Sequence, residues 1–98
     1  MEKNTSNTIS EKHEFMLFIA GMSPKSSLAI ENLRKICDQH FPDNSDIQII
    51  DINNAPSFAT EYQIIAIPTL IRINPMPKRT ILGDLSDNQK VLKILDIR

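Results

Sequence analysis

The sequence is poor in the residue types that define several common protein classes. It has one cysteine, two glycines, two histidines and no tryptophan among its 98 residues. The single cysteine, Cys37, excludes an internal disulfide and a Cys-x-x-Cys redox pair within the chain. Cys37 and His40 are three residues apart, but zinc needs more ligands than this pair supplies. Two isolated glycines cannot form a nucleotide-binding glycine motif, so we expect no cofactor and no metal.

Strong charge and long hydrophobic runs are also missing. The chain has 11 basic and 12 acidic residues, which gives a formal net charge of -1. Nucleic-acid-binding domains usually carry a basic excess, so we expect no nucleic-acid partner. No apolar run approaches the roughly 20 residues of a membrane helix, and residues 1–14 lack the apolar centre of a secretory signal. We therefore expect a cytoplasmic protein that does not interact with membranes.

The chain length predicts one domain, preceded by a short tail. Residues 1–14 contain Ile9 as the only bulky apolar side chain after the first residue, so we expect a flexible tail there and a folded domain over residues 15–98. The continuous apolar run Phe15–Ala20 predicts a central strand that is covered on both faces. Ser23 and Pro24 then predict the start of a helix that ends near Phe41.

The rest of the chain alternates between strand and helix signals. The β-branched run Ile47–Ile52 predicts a strand parallel to the first, because a helix joins the two in a βαβ unit. Ser86 and Gln89 have the spacing of a capping box, which predicts a helix after Ser86. The elements predicted between them are a short helix and two strands: Pro56–Tyr62, Pro68–Ile73 and Arg79–Leu82. The order β-α-β-α-β-β-α predicts a layered α/β domain.

Two segments, Asp51–Pro56 and Ile64–Leu70, resemble the pattern of the thioredoxin-like superfamily. In that superfamily the proline of the Ile-Pro-Thr-Leu element is cis and faces the first βα loop, so Pro68 is the candidate cis-proline. The redox cysteines of the superfamily lie in that loop, which reads Met22–Ser26 in this chain and has no thiol. A thioredoxin-like oxidoreductase remains an alternative function, but the missing thiol disfavours it.

A more specific resemblance is to the KaiB family, and it extends from about Phe15 to the C-terminus. The double-proline segment followed by Gly-Asp-Leu-Ser is more specific than Ile-Pro-Thr-Leu alone. The residues that carry the resemblance form three groups: Phe18–Gly21 with Ser23, Pro24, Ser26, Ala29 and Leu33; Pro75–Pro77; and Ile81–Asp87 with Lys90–Leu92.

The resemblance implies a regulatory protein and no enzyme activity. KaiB proteins bind the ring-shaped ATPase KaiC and modulate its phosphorylation cycle. The family has two folds: a thioredoxin-like form that binds KaiC, and a ground-state fold with a rearranged C-terminal half that forms a tetramer. The resemblance therefore implies a thioredoxin-like fold, with the ground-state fold as the alternative, and a homo-oligomer that is a dimer or a tetramer.

The same resemblance suggests which residues carry the function. We expect the second βα region and the Pro75–Pro77 edge to form much of a docking face, which includes five named residues: Arg72, Pro75, Pro77, Lys78 and Arg79. We expect the fold-switch segment to include four residues: Gly83, Asp84, Ile94 and Asp96. Clock KaiB proteins carry glycine where this chain has Ile94. Isoleucine favours the helical, thioredoxin-like form over glycine, but it is also the better strand residue, so the two effects partly cancel.

Other positions depart from clock KaiB proteins. Basic side chains are common in the family at four positions where this chain has Leu28, Glu31, Gln48 and Gln63, and an aromatic is usual at Ser45. These departures weaken the expectation of clock-type affinity for KaiC and of contact with KaiA. They leave open a stress-response adaptor of KaiB descent with another partner. A sensory module like that of the SasA kinase is a further alternative, although such a module is normally attached to its kinase.

Overall fold

The structure, a computed structural model, describes residues 12–97. Seven elements follow one another in the predicted order. They are β1 (His13–Ile19), α1 (Pro24–His40), β2 (Ser45–Asp51), α2 (Ser57–Glu61), β3 (Thr69–Asn74), β4 (Arg79–Leu82) and α3 (Asn88–Ile94).

The strands form one mixed sheet in the order β2-β1-β3-β4. β1 pairs in parallel with β2, with Phe15 opposite Ile47, which confirms the predicted βαβ unit. β1 pairs antiparallel with β3, and β3 pairs antiparallel with β4. β1 and β3 are therefore the central strands, and β2 and β4 are the two edges of the sheet.

Side chains of β1 alternate between two cores, as expected for a strand that is covered on both faces. Phe15, Leu17 and Ile19 pack into the larger core, which also contains α1 and α3 side chains such as Leu33 and Val91. Met16 and Phe18 pack into the smaller core on the other face of the sheet, together with the partly buried Phe58 and Tyr62. We call these two sides of the sheet the α1/α3 face and the α2 face.

Helix α1 begins as the sequence predicts. The Ser23 hydroxyl accepts a hydrogen bond from the backbone N–H of Ser26 at 3.1 Å, and Pro24 occupies the first helical position. The preceding turn is held from β2, because a carboxylate oxygen of Asp51 accepts from the backbone N–H groups of Gly21 and Asn53. Gly21 has a φ of 68°, a left-handed conformation that glycine adopts without steric cost.

The start of β1 and the N-cap of α3 differ from the sequence prediction. β1 begins at His13, two residues before the predicted start of the folded domain, because His13 and Glu14 continue the ladder with β2. Residues 1–11 of the predicted tail lie outside the described residues. The predicted capping box of α3 is wrong, since Asp87 is the N-cap and its carboxylate accepts from the backbone N–H of Lys90 at 3.2 Å. No helix within residues 12–97 is long and apolar enough to cross a membrane.

Candidate partner-binding surface

The turn between β3 and β4 contains Pro75, Met76 and Pro77. The peptide bonds that precede both prolines are cis. Met76, between them, is exposed over 74% of its surface. The Asn74 amide at the end of β3 donates to the carbonyl oxygen of Lys12 at 2.7 Å, which ties the start of the turn to the residue before β1. The prolines therefore present an exposed methionine at one end of the sheet.

The structure places Arg72 inside the molecule, so its predicted place on an exposed docking face is wrong. Its side chain points to the α1/α3 face, and the residue is only 4% exposed. The guanidinium donates to the carbonyl oxygens of Leu95 and Pro77, at 2.8 and 3.0 Å. Burial lowers the pKa of Arg72, with a further contribution from the nearby charge of Arg79. Arg72 therefore acts as a structural connection between β3, the turn and the end of α3.

Lys78 and Arg79 are both exposed at the start of β4, in agreement with a basic surface. Among residues 12–97, neither side chain has a carboxylate within ion-pair distance. The basic surface observed is thus smaller than predicted, and it consists of these two residues at the edge of the sheet.

Pro68 is a cis-proline, as the resemblance implied, and it is buried at the start of β3. Its carbonyl oxygen accepts from the backbone N–H of Gly83 at 2.9 Å, just beyond the end of β4. The hydroxyl of Thr69 donates back to the carbonyl oxygen of Ala66 at 2.6 Å, which satisfies this buried side chain. The Pro68 carbonyl thus links the start of β3 to the residue that follows β4.

A groove of about 420 Å³ lies on the α2 face, beside β4. Its lining includes Thr80 and Leu82 of β4, Ile65 of the loop after α2, and Lys78. Ile65 is 86% exposed and Leu82 is 49% exposed, which is high for large apolar side chains. The groove thus joins an exposed apolar surface to the basic start of β4.

Sequence reasoning missed Ile65 and Leu82, because each belongs to an apolar run that normally indicates a core segment. A signal was present for Leu82, since alternation along β4 places it on the face opposite Ile81. Ile81 is buried in the larger core, while Leu82 faces the side of the sheet that only the short α2 covers.

Gly83 and Asp84, the first residues predicted to belong to a fold-switch segment, connect β4 to α3. Gly83 has a φ of 105°, and a Cβ built on it meets no atom within 4 Å, so the backbone angle is what favours glycine here. The Asp84 carboxylate accepts from the backbone N–H of Ser86 at 3.0 Å. Hydrogen bonds from Ser86 lower the pKa of Asp84. The Asp84 carbonyl oxygen accepts from the Asn32 amide of α1 at 2.9 Å.

Ile94 and Asp96, the other two predicted residues, lie at the C-terminal end of α3. Ile94 is the last helical residue, and it packs against the larger core. The N–H groups of Asp96 and Ile97 donate to the carbonyl oxygens of Lys93 and Leu92. These two bonds form a Schellman motif, in which Asp96 takes the position that usually holds glycine. Its φ of 62° is the corresponding left-handed conformation.

The chemistry of Cys37 is that of a core residue. It is 2% exposed on α1 and packs with the larger core. Burial raises the pKa of the Cys37 thiol, and a hydrogen bond with Ser45 opposes this effect only in part. A buried thiol with a raised pKa is a poor nucleophile. Within residues 12–97, no three histidine, cysteine or acidic side chains are grouped as metal ligands.

The fold and its cis-proline define a thioredoxin-like α/β domain. Solved structures with this fold include the N-terminal domain of Synechococcus elongatus SasA, with a TM-score of 0.73 at 18% identity over 98% of this chain and 94% of that one. Chloroplastic thioredoxin z gives a TM-score of 0.71 at 17% identity, over 88% of this chain and 78% of that one. At these identities the likeness concerns the fold alone.

Sequence comparison identifies the family. The model of the KaiB domain matches residues 16–97. The circadian clock oscillator protein KaiB of Gloeothece citriformis is 40% identical over 91 residues, which cover 93% of this chain and 86% of the relative. KaiB1 of Synechocystis is 43% identical over 81 residues, covering 83% and 77%. The chain therefore belongs to the KaiB family of circadian clock proteins, as its motifs suggested, and this is not an enzyme family.

Proposed function

We propose that this chain is a regulatory protein that binds a KaiC-type ATPase and modulates its phosphorylation or ATPase cycle. One observation carries the proposal: a member of the KaiB family has the thioredoxin-like arrangement of strands and helices. The resemblance assigns ATPase binding to this form of the family and tetramer assembly to the rearranged form. The thioredoxin-like fold is therefore the form that is competent for binding.

The docking face that we propose comprises α2, the loop after it and the turn from Pro75 to Pro77, together with Lys78 and Arg79. It departs from the sequence prediction by the removal of Arg72, which is buried. Its support is the exposure of Ile65 and Met76, at 86% and 74%, next to two cations without a carboxylate partner among residues 12–97. Exposed apolar groups bordered by charge are typical of a protein-binding surface.

Regulation would follow from a change of fold in the C-terminal half, accompanied by assembly into a dimer or tetramer. Strain on both sides of α3 supports this proposal. Leu85, which precedes the helix, and Asp96, which follows it, have φ values of 66° and 62°. A left-handed conformation costs a residue other than glycine about 1–2 kcal/mol. Two packings of one sequence can coexist when they differ by only a few kcal/mol. A partner that binds one form would then be affected by the population of that form.

The test is capture of a purified KaiC-type ATPase by this chain in the presence of ATP. We expect saturable binding, and we expect the double variant Lys78→Glu with Arg79→Glu to bind at least about tenfold more weakly, because it reverses the charge of the docking face. The matched control is Arg34→Glu, since Arg34 is exposed on α1, away from that face. Absence of binding by the unaltered chain, or equal binding by all three proteins, would overturn the proposal.

A stress-response adaptor with another protein partner is the second candidate. The four positions where the family usually has basic side chains, Leu28, Glu31, Gln48 and Gln63, are all exposed. They therefore alter the surface without altering the core. If purified KaiC-type ATPases fail to bind, this candidate is tested by replacing the four residues with lysine. Gain of ATPase binding by that variant would show that the altered surface is what separates this chain from clock KaiB proteins.

A further inference from the structure

The two edges of the sheet differ in character. At β2 the exposed edge residues include Asp46. β4 begins with Arg79, directly after Lys78, and it has no acidic residue. Edge strands present unpaired backbone groups that can add another strand, and many proteins protect such edges. The chemistry of the β4 edge therefore decides what could pair with it.

The ladder between β3 and β4 shows which backbone groups face outwards. Thr69 lies opposite Leu82 at the end of the ladder, and the N–H of the next residue, Gly83, donates to the Pro68 carbonyl, so Pro68 and Gly83 take a hydrogen-bonded position. Hydrogen-bonded and non-hydrogen-bonded pairs alternate along an antiparallel ladder. Thr80 and Leu82 are consequently in non-hydrogen-bonded pairs, and their N–H and C=O groups point away from β3. Within residues 12–97 no further strand pairs with this side of β4, so four backbone groups point outwards from the edge.

Successive side chains of β4 point to opposite faces of the sheet. Thr80 and Leu82 face the groove on the α2 face, where Ile65 adds an exposed apolar wall. Arg79 faces the α1/α3 face, as the buried Ile81 does, because side chains two residues apart on a strand lie on the same side. A strand added to β4 would place its side chains on the same two faces. Apolar side chains would then contact the groove, and acidic side chains would meet Arg79.

We propose that the free edge of β4 is a strand-addition site for an extended segment of a partner protein in which branched apolar and acidic residues alternate. The outward backbone groups of Thr80 and Leu82 supply main-chain hydrogen bonds, and the groove and Arg79 select the side chains. Lys78 lines the groove and adds a second positive charge at the same end of the edge. The proposal rests in part on the proposed ATPase docking face, because both include Lys78 and Arg79.

The probe is an acetylated and amidated peptide, Val-Glu-Val-Glu-Val, titrated into the isotope-labelled chain. We expect it to shift resonances of β4 and to slow hydrogen exchange at the Thr80 and Leu82 amides, whose N–H groups point away from β3. A peptide with lysine in place of glutamate should bind at least about tenfold more weakly, and a peptide N-methylated at its bonding amides should lose binding by a similar factor. Binding of the glutamate peptide should weaken with added salt.

Matched variants separate charge from folding. Arg79→Glu should weaken binding of the glutamate peptide and strengthen binding of the lysine peptide, while Arg34→Glu on α1 should change neither. A variant that failed to fold would bind neither peptide. Stronger binding of the lysine peptide by Arg79→Glu would therefore show that the variant is folded and that charge selects the peptide. Thr80→Pro removes an outward N–H and should abolish binding, with its far-ultraviolet circular dichroism unchanged.

Four results would overturn the proposal. They are absence of peptide binding, equal binding of the N-methylated peptide, resonance shifts centred away from β4, and Thr80 and Leu82 amides that are already protected because a second copy of the chain occupies the edge. If the peptide does not bind but the chain still captures the ATPase, strand addition is overturned and the ATPase proposal stands. Peptide binding without ATPase capture would overturn only the ATPase proposal.

Discussion

The guanidinium of Arg72 donates from Nη1 to the carbonyl oxygen of Leu95 at 2.8 Å, across 23 residues of the chain. Leu95 is the C-cap of α3, so the bond joins the central strand β3 to the last helix. The other terminal nitrogen of Arg72 donates to the Pro77 carbonyl at 3.0 Å, in the turn before β4. One buried side chain thus holds two segments of the C-terminal half against the sheet.

Replacement of Arg72 by methionine should destabilise the thioredoxin-like form by about 2–4 kcal/mol, because it removes two charge-assisted hydrogen bonds and leaves two carbonyl oxygens without their donor. Arg72→Lys should also destabilise, since one ammonium group cannot reproduce the two-armed geometry of the guanidinium. The measurement is the midpoint of urea-induced unfolding, with Arg34→Met as the exposed control. Equal midpoints for Arg72→Met and the unaltered chain would contradict the role of Arg72 as a connection.

Replacement of Asp96 by glycine should stabilise the thioredoxin-like form by about 1 kcal/mol, because glycine adopts the left-handed conformation at the end of α3 without steric cost. The carboxylate of Asp96 also favours the charge of Arg72, and its removal reduces the gain. Asp96→Asn is the matched control, since it removes the same charge and keeps a side chain. Thermal unfolding should therefore rank glycine above asparagine, and the reverse order would contradict the strain argument.

Local patterns predicted most of the elements, and tertiary contacts account for the rest. The bounds of β4 and the start of α1 follow from β-branched runs, proline and a capping serine, all of which act within a few residues. The resemblance predicted Arg72 on a docking face, and a charged residue in a strand is normally solvated. Its burial depends on carbonyl groups of Leu95 and Pro77, which come close only in the folded chain. No local pattern indicates such a contact.

The N-cap of α3 was predicted at the wrong residue for a different reason. Ser86 and Asp87 are adjacent residues with side chains that both cap helices well, and the glutamine that suggested a capping box with Ser86 lies in the same turn. In the structure, Leu85 has a left-handed backbone and is 5% exposed, and the helix has Asp87 as its N-cap, one residue after the predicted cap. Leu85 belongs to the larger core, so its position depends on tertiary contacts that no local capping pattern indicates.

Replacement of Ile94 by glycine should weaken α3 and lower apparent affinity for the proposed ATPase partner. Glycine in a helix costs about 0.5 kcal/mol relative to isoleucine, and the partly buried Ile94 side chain would also be lost from the larger core. Apparent affinity falls in proportion to the population of the competent fold. Ile94→Ala keeps helix propensity while removing most of the side chain, and it serves as the control. Unchanged resonances and unchanged affinity for Ile94→Gly would reject a role in the balance of folds.

The thiol of Cys37 should make stability depend on pH in the alkaline range. Burial raises the pKa of Cys37 in the folded chain above its ordinary value. The unfolded chain therefore loses the thiol proton first, and stability falls as the pH rises through the ordinary thiol range towards the folded pKa. Below that range, the contribution is constant. The measurement is the free energy of unfolding against pH for the unaltered chain and for Cys37→Ala.

The alanine variant should be less stable at neutral pH, since it leaves space in the larger core, but its stability should fall less between neutral and alkaline pH. The difference between the two proteins isolates the thiol from tyrosine and lysine titrations, which both proteins share. The same burial predicts slow reaction of Cys37 with thiol reagents in the folded chain and no reduction of insulin disulfides. Rapid labelling under native conditions, or parallel pH profiles for the two proteins, would contradict a buried protonated thiol.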